Sequence, residues 1–255
     1  LADIAGPAGL ALAAGAGLLG GAMNALAGGG TFATMPALIA LGLPSPIANA
    51  TSNVSLQPGA MVSAWAYRDG LAPLSGLSVR ALVVITFIGG LIGSLLLVAT
   101  PTRTFDILIP WLLLLATIVL AFGKRASEVL HRHVTIAPAA LVTVQFALGI
   151  YGGYFGGGVG LMMMAAWGLL SRAEPHRLAA PRTLMLAIAN TAATIIFIAC
   201  AMVTWRFAVP MLIGAIVGGY LGALLGRILP PSAIRAVTIL ATAAITIVFF
   251  WRAYS

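Results

Sequence analysis

Apolar residues fill this chain in long blocks, separated by short clusters of glycine, proline or charge. The blocks fall at about 5–27, 31–42, 46–67, 75–99, 105–122, 134–155, 159–171, 178–204, 207–229 and 233–251. None shows the short alternating pattern of a membrane β-barrel. Most reach the length a helix needs to cross a hydrocarbon core of about 30 Å. Two do not. Thr31–Gly42 has 12 residues, about 18 Å as a helix, and 159–171 is similarly short.

Each short block directly follows three glycines, Gly28-Gly29-Gly30 and Gly156-Gly157-Gly158, and the two triplets lie 128 residues apart, half the chain. Gly21 and Gly149, and Leu41 and Leu169, recur at the same offset. The pattern predicts an all-α, polytopic transmembrane bundle of two five-segment repeats, each with a half-helix after its Gly-Gly-Gly break. Residues 1–122 form the first repeat, 123–133 a basic loop and 134–255 the second repeat. Five crossings is an odd number, so the second repeat starts from the opposite side and the repeats are expected to be inverted. A re-entrant hairpin at each short block removes two crossings and keeps the parity odd.

Composition strengthens the membrane reading. Of 255 residues, 61% are hydrophobic and only 7% charged, and the mean hydropathy is +1.10. A soluble surface requires far more charge. The formal net charge of +8 is read as cytoplasmic loop bias rather than affinity for nucleic acid. Arg68, Arg80, Lys124, Arg125, Arg132, Arg172, Arg177, Arg182, Arg227 and Arg235 fall on one side of the scheme, and Arg103, Arg206 and Arg252 on the other. The first side is then cytoplasmic, both chain ends are extracytoplasmic, and the expected location is the cell inner (plasma) membrane. The chain begins at Leu1 without a methionine, which suggests a trimmed N-terminus. Cys200 is the single cysteine, so no internal disulfide forms.

Asp3, Asp69, Asp106, Glu128 and Glu174 sit in loops or at segment ends, and so do His131, His133 and His176. The blocks therefore lack the paired carboxylates or metal ligands of an intramembrane protease. They also lack a buried carboxylate relay. No nucleotide motif, metal cluster or other cofactor site is apparent. What the blocks carry is neutral polarity. Block 46–67 holds Asn49, Thr51, Ser52, Asn53, Ser55, Gln57 and a Pro58-Gly59 break, and block 178–204 holds Arg182, Thr183, Asn190, Thr191 and Thr194. Asn24 and Gln145 precede the two triplets. Such residues can serve only to join helices. So many on one segment point instead to a wet cavity.

A helix start carries free N–H groups and partial positive charge. A glycine turn lets a ligand reach that backbone. Two half-helices starting at Thr31 and Val159 from opposite faces form an anion site without a buried cation. The expected substrate-binding residues in the first half are Asn24, Gly28, Gly29, Gly30 and Thr31, with Thr51, Ser52, Asn53 and Gln57. Those in the second half are Gly156, Gly157, Gly158, Arg182 and Asn190. Arg182 either snorkels to the interface or binds an oxyanion with its planar fork of donors.

The stretch "GGAMNALAGGGTFATMPALIALGLPSPIANATSN", followed by "AWAYRDG", resembles the first-half signature of the TauE/SafE sulfite exporter family. "GIYGGYFGGGVGLMMMAAWGLL", with the later "NTAATIIF", resembles its second-half signature, and "GAIVGGYLGALLGRIL" resembles the glycine-rich helix that follows. Where many members of the family carry a lysine in each Asn/Thr-containing segment, this chain has Asn53 and Thr183, with Arg182 beside the second. The resemblance implies a transporter, not an enzyme, that exports a small anion such as sulfite or an organosulfonate. The expected mechanism is alternating access. A channel with the same glycine-lined path and a non-transporting scaffold are the alternatives. Expected partners are the anion and the bilayer, with a homodimer among the assemblies allowed.

Overall fold

The computed structural model describes residues 6–74, 76–130, 138–170, 175–225, 228 and 230–254. Among them it contains ten α-helices and no strand beyond an isolated bridge between Leu74 and Leu77. The helices are α1 (Pro7–Ala27), α2 (Thr31–Ala40), α3 (Ser45–Ala66), α4 (Val79–Ala99), α5 (Thr102–Leu130), α6 (Pro138–Tyr154), α7 (Val159–Leu170), α8 (Pro175–Ala199), α9 (Trp205–Leu225) and α10 (Pro231–Tyr254). Proline opens α1, α6, α8 and α10, where its missing N–H costs nothing. Ser78 caps α4 by accepting from the Ala81 amide at 3.2 Å. α5 continues to Leu130, into the stretch read as a basic loop. Nothing from Gly123 to Leu130 forbids it, since Lys, Arg, Ala, Glu and Leu all favour helix. Arg132, Arg172 and Arg227, counted for the charge bias, lie outside the described residues.

Six helices, within α1, α4, α5, α8, α9 and α10, are long and apolar enough to cross a membrane. Their surfaces suit lipid. On α4 the exposed face carries Val84, Ile88, Leu95 and Leu96, while the buried face carries Thr86, Gly89, Gly90, Gly93 and Ser94. A helix in water shows the reverse, but small and polar residues inside and aliphatics outside are what a bilayer selects. This is a multi-pass membrane protein.

The halves of the chain interlock. α1 packs chiefly on α9, and α4 on α6 and α8, while α3 lies against α8 and α9, and α5 against α10 and α7. Glycine lets the backbones meet. A Cβ on Gly17 would stand 2.0 Å from the Met211 carbonyl oxygen, and one on Gly218 1.9 Å from that of Leu18. On α4 and α6 the same holds for Gly93 against Ile150 and Gly153 against Gly90, both at 2.0 Å. These contacts fix direction. Ala14, Leu18 and Ala22 meet Gly214, Gly218 and Gly222 in the same order, so α1 and α9 run parallel. Thr51 and Ser55 meet Thr204 and Ala208, so α3 runs that way too. α4, α6 and α8 run parallel to one another, and α8 is antiparallel to α3, because Asn53 meets Thr194 while Gln57 meets Ala187.

Candidate functional site

α1 ends where Gly28 turns left-handed, with φ 74°, and its amide bonds the Asn24 carbonyl at 2.9 Å. A side chain at that φ is strained, which is why glycine stops the helix here. α2 starts three residues later. α6 ends in the same way at Gly156 and Gly158, with φ 74° and 73°, and α7 starts at Val159. Among the described residues, the amides of Gly29, Gly30 and Thr31 and those of Gly157, Gly158, Val159 and Gly160 have no backbone acceptor. They are the free donors of two helix starts.

The two breaks touch. A Cβ on Gly28 would lie 3.6 Å from the Gly160 Cα, and one on Gly158 3.0 Å from Cζ of Phe32 in α2. Arg182 completes this corner, with its Cδ 3.9 Å from the Cβ position of Gly160. Its Nε is buried and has no hydrogen-bond partner. A salt bridge joins Arg68 to Asp69 at 3.8 Å on the surface, and no carboxylate among the described residues pairs with Arg182.

A polar seam between α3 and α8 leads away from this corner. Asn53 donates from Nδ2 to Oδ1 of Asn190 at 3.3 Å and accepts from the Thr194 hydroxyl at 3.2 Å. Both asparagines lie beside Gly156, whose Cβ position is 3.5 Å from Asn53 Nδ2 and 3.9 Å from Asn190 Oδ1. One turn on, Gln57 donates to the Ala187 carbonyl and the Thr191 hydroxyl, which leaves its own Oε1 buried and unpartnered. One turn back, Asn49 donates to the Tyr154 carbonyl at 3.1 Å, and its Oδ1 is likewise buried and unpartnered.

Of the residues singled out from sequence, the structure groups Gly28, Gly158 and Arg182 at the corner, and Asn53, Asn190 and Gly156 beside it. Asn24 supports the first break through its main chain, and Thr31 opens α2 nearly buried, at 9% exposure. Ser52 hydrogen-bonds Thr34, whose hydroxyl reaches the Gly30 carbonyl at 3.1 Å, so it braces the break from behind. Thr51 is turned elsewhere and accepts the Thr204 amide at the start of α9, at 3.1 Å. Gln145 is a packing residue that bonds the Thr86 hydroxyl at 2.7 Å and the Trp167 indole at 2.9 Å. Asp106, placed at a segment end by sequence, lies in the second turn of α5 and accepts from the Ser45 hydroxyl at the start of α3.

Tyr151 was not foreseen. Its hydroxyl donates to the Gly157 carbonyl at 2.9 Å, with the Leu112 carbonyl of α5 also in reach at 3.3 Å. A trans peptide points its C=O and N–H in opposite directions. Holding the Gly157 oxygen therefore aims the Gly158 amide away from Tyr151. The signal was a hydroxyl-bearing residue six positions before the middle glycine, in "YGGYFGG".

Similarity to known proteins adds the context. The family described as sulfite exporter TauE/SafE matches residues 13–249. A probable membrane transporter protein of Haemophilus influenzae is 28% identical over 202 residues, 79% of this chain and 78% of the relative. The probable membrane transporter protein YfcA of Escherichia coli is 30% identical over 209 residues, 80% of this chain and 76% of the relative. No solved structure matches the chain.

Proposed function

The chain belongs to the sulfite exporter TauE/SafE family of membrane transporters, and on that premise we propose that it exports a small oxyanion, sulfite or a small organosulfonate, through the corner where its two helix breaks meet. The observation that carries the reading is Arg182: a guanidinium nitrogen buried without a partner, beside the free amides of a helix start. A buried donor left without an acceptor is costly. An oxyanion supplies several acceptors at once and suits both a planar guanidinium fork and a helix N-terminus.

Alternating access is the mechanism the architecture favours. Residues 1–122 and 134–255 act as two inverted repeats in this proposal. Its support is the direction of the helices: α1 and α3 run opposite to α6 and α8, and α4 opposite to α9. Rocking one bundle of helices against another, each drawn from both repeats, then opens the site to each side in turn. The Lys/Arg distribution puts both chain ends outside the inner membrane.

Thermal stabilisation of purified protein by sulfite, sulfate, thiosulfate, sulfoacetate and taurine tests the reading, because a ligand bound only by the folded state raises its stability with concentration. One of these anions is expected to bind saturably, and Arg182→Gln to weaken that binding more than Arg182→Lys. Unchanged affinity in Arg182→Gln removes the guanidinium from the site.

A further inference from the structure

The seam holds a second feature, of opposite polarity. Asn49 is 1% exposed and donates its amide group to the Tyr154 carbonyl. That partner fixes the orientation of the side chain. A carbonyl can only accept, so turning the carboxamide over would set two oxygens face to face. Oδ1 is therefore a true acceptor, and it is buried without a donor.

The side chain lies against the end of α6, whose Tyr154 carbonyl takes its amide hydrogen. α6 ends here: the Tyr151 carbonyl accepts from both Phe155 and Gly156, and the carbonyls that follow lie beyond the last helical bond. This is the negative end of the helix dipole. One turn before Asn49 on α3, the Ser45 hydroxyl is turned to the Asp106 carboxylate. The cations that face Asp106 are Arg103 and Arg252, which line the same cleft of about 250 Å³ at the ends of α5 and α10. The Tyr154 hydroxyl is engaged with Thr100 at 3.3 Å and does not turn toward Asn49.

We propose that Asn49 Oδ1 and the terminal carbonyls of α6 bind a sodium ion, and that this ion is coupled to the anion. The inference rests on the anion site proposed above. Neutral carboxamide and main-chain oxygens suit a hard, singly charged ion. A divalent ion needs more formal charge, and no group of three His, Cys, Asp or Glu able to hold one exists among the described residues. Unwound carbonyls and helix C-termini at a broken helix are the ligand types that hold sodium in membrane transporters. Coupling follows from position. Asn49 is one turn along α3 from Asn53, which lies beside Gly156, and Tyr154 is two residues from Gly156, so a cation there acts on the anion through the second helix break. Such linkage is reciprocal, and each ion tightens the other by the same factor.

The test is sulfite affinity of the purified full chain in sodium, potassium and choline chloride at equal ionic strength. Sulfite should bind more tightly in sodium alone, within the roughly 5–150-fold span of ordinary couplings. Asn49→Asp adds a charge and turns a carboxylate oxygen toward the Tyr154 carbonyl, a repulsion that a bound cation relieves, so its affinity for sodium should rise about tenfold or more, as ligand charge dictates. Asn49→Ala should abolish the sodium effect, and if that variant does not fold, Asn49→Asp carries the test. Equal sulfite affinity in all three salts overturns the inference, and so does an unaltered sodium response in Asn49→Asp. Sulfite binding that persists in choline and remains sensitive to Arg182→Gln leaves the anion site standing when the sodium site fails.

Discussion

The break at 28–30 and the break at 156–158 use the same three glycines but are held differently. At the second break, Tyr151 holds the Gly157 carbonyl, two glycines are left-handed, and α5 lies along α7. At the first, one glycine is left-handed, the position 128 residues before Tyr151 is Met23, and α10 barely touches α2. Bracing there comes from Thr34 and Ser52 in the half-helix and α3. The same local device thus gives one tightly clamped helix start and one looser start. The clamp comes from neighbours and not from the glycines.

Alanine at each break separates the two. Gly158→Ala meets both a left-handed φ and the Phe32 and Ala116 side chains at 3.0 and 3.3 Å. Strain and crowding together should cost about 2–5 kcal/mol, read as thermal unfolding in detergent. Gly28→Ala meets the same φ but no contact nearer than 3.6 Å, and should cost only the strain, about 1–2 kcal/mol. Equal losses at the two sites would erase the distinction between clamped and loose.

Tyr151→Phe is the direct attack on the clamp. It removes the hydroxyl and should cost about 1 kcal/mol. Because it frees the Gly157 peptide, it should weaken substrate binding, whereas Met23→Leu leaves binding unchanged. Asn53→Ala loses the bonds to Asn190 and Thr194 at about 0.6 kcal/mol each, a stability loss close to that of Tyr151→Phe. Transport in liposomes should nevertheless fall, since Asn53 stands beside Gly156. Normal kinetics in Asn53→Ala would make the seam a packing device.

The ten helices were legible because each is an apolar block bounded by glycine, proline or charge. The end of α5 was not, since the residues after Phe122 are charged yet helix-forming. The polar seam was visible as a cluster on one segment, but its members were not equally placed. Thr51 and Asn53 are two residues apart and lie on different faces of α3, so one serves α9 and the other the site. Partnering was invisible. No local pattern tells that Gly17 meets Met211, or that Tyr151 returns to Gly157, because these contacts depend on how distant helices cross. The unpartnered oxygen of Asn49 was invisible for the same reason, since the orientation of a carboxamide is set by what it faces.

The pairing of α1 with α9 has a consequence for how the protein is made. Nearly two hundred residues separate Gly17 from Met211, so the first helix enters the bilayer long before its partner has been synthesised. Lipid must occupy the glycine face of α1 in the interval, and that of α4 until α6 and α8 arrive. Contacts between such distant segments close slowly and late. Neither half has its principal packing partner within itself, so the bundle locks only when the last third of the chain is inserted. A chain stalled after α5 keeps chiefly the packing among α1, α2 and α3, with the glycine faces of α1 and α4 open to lipid.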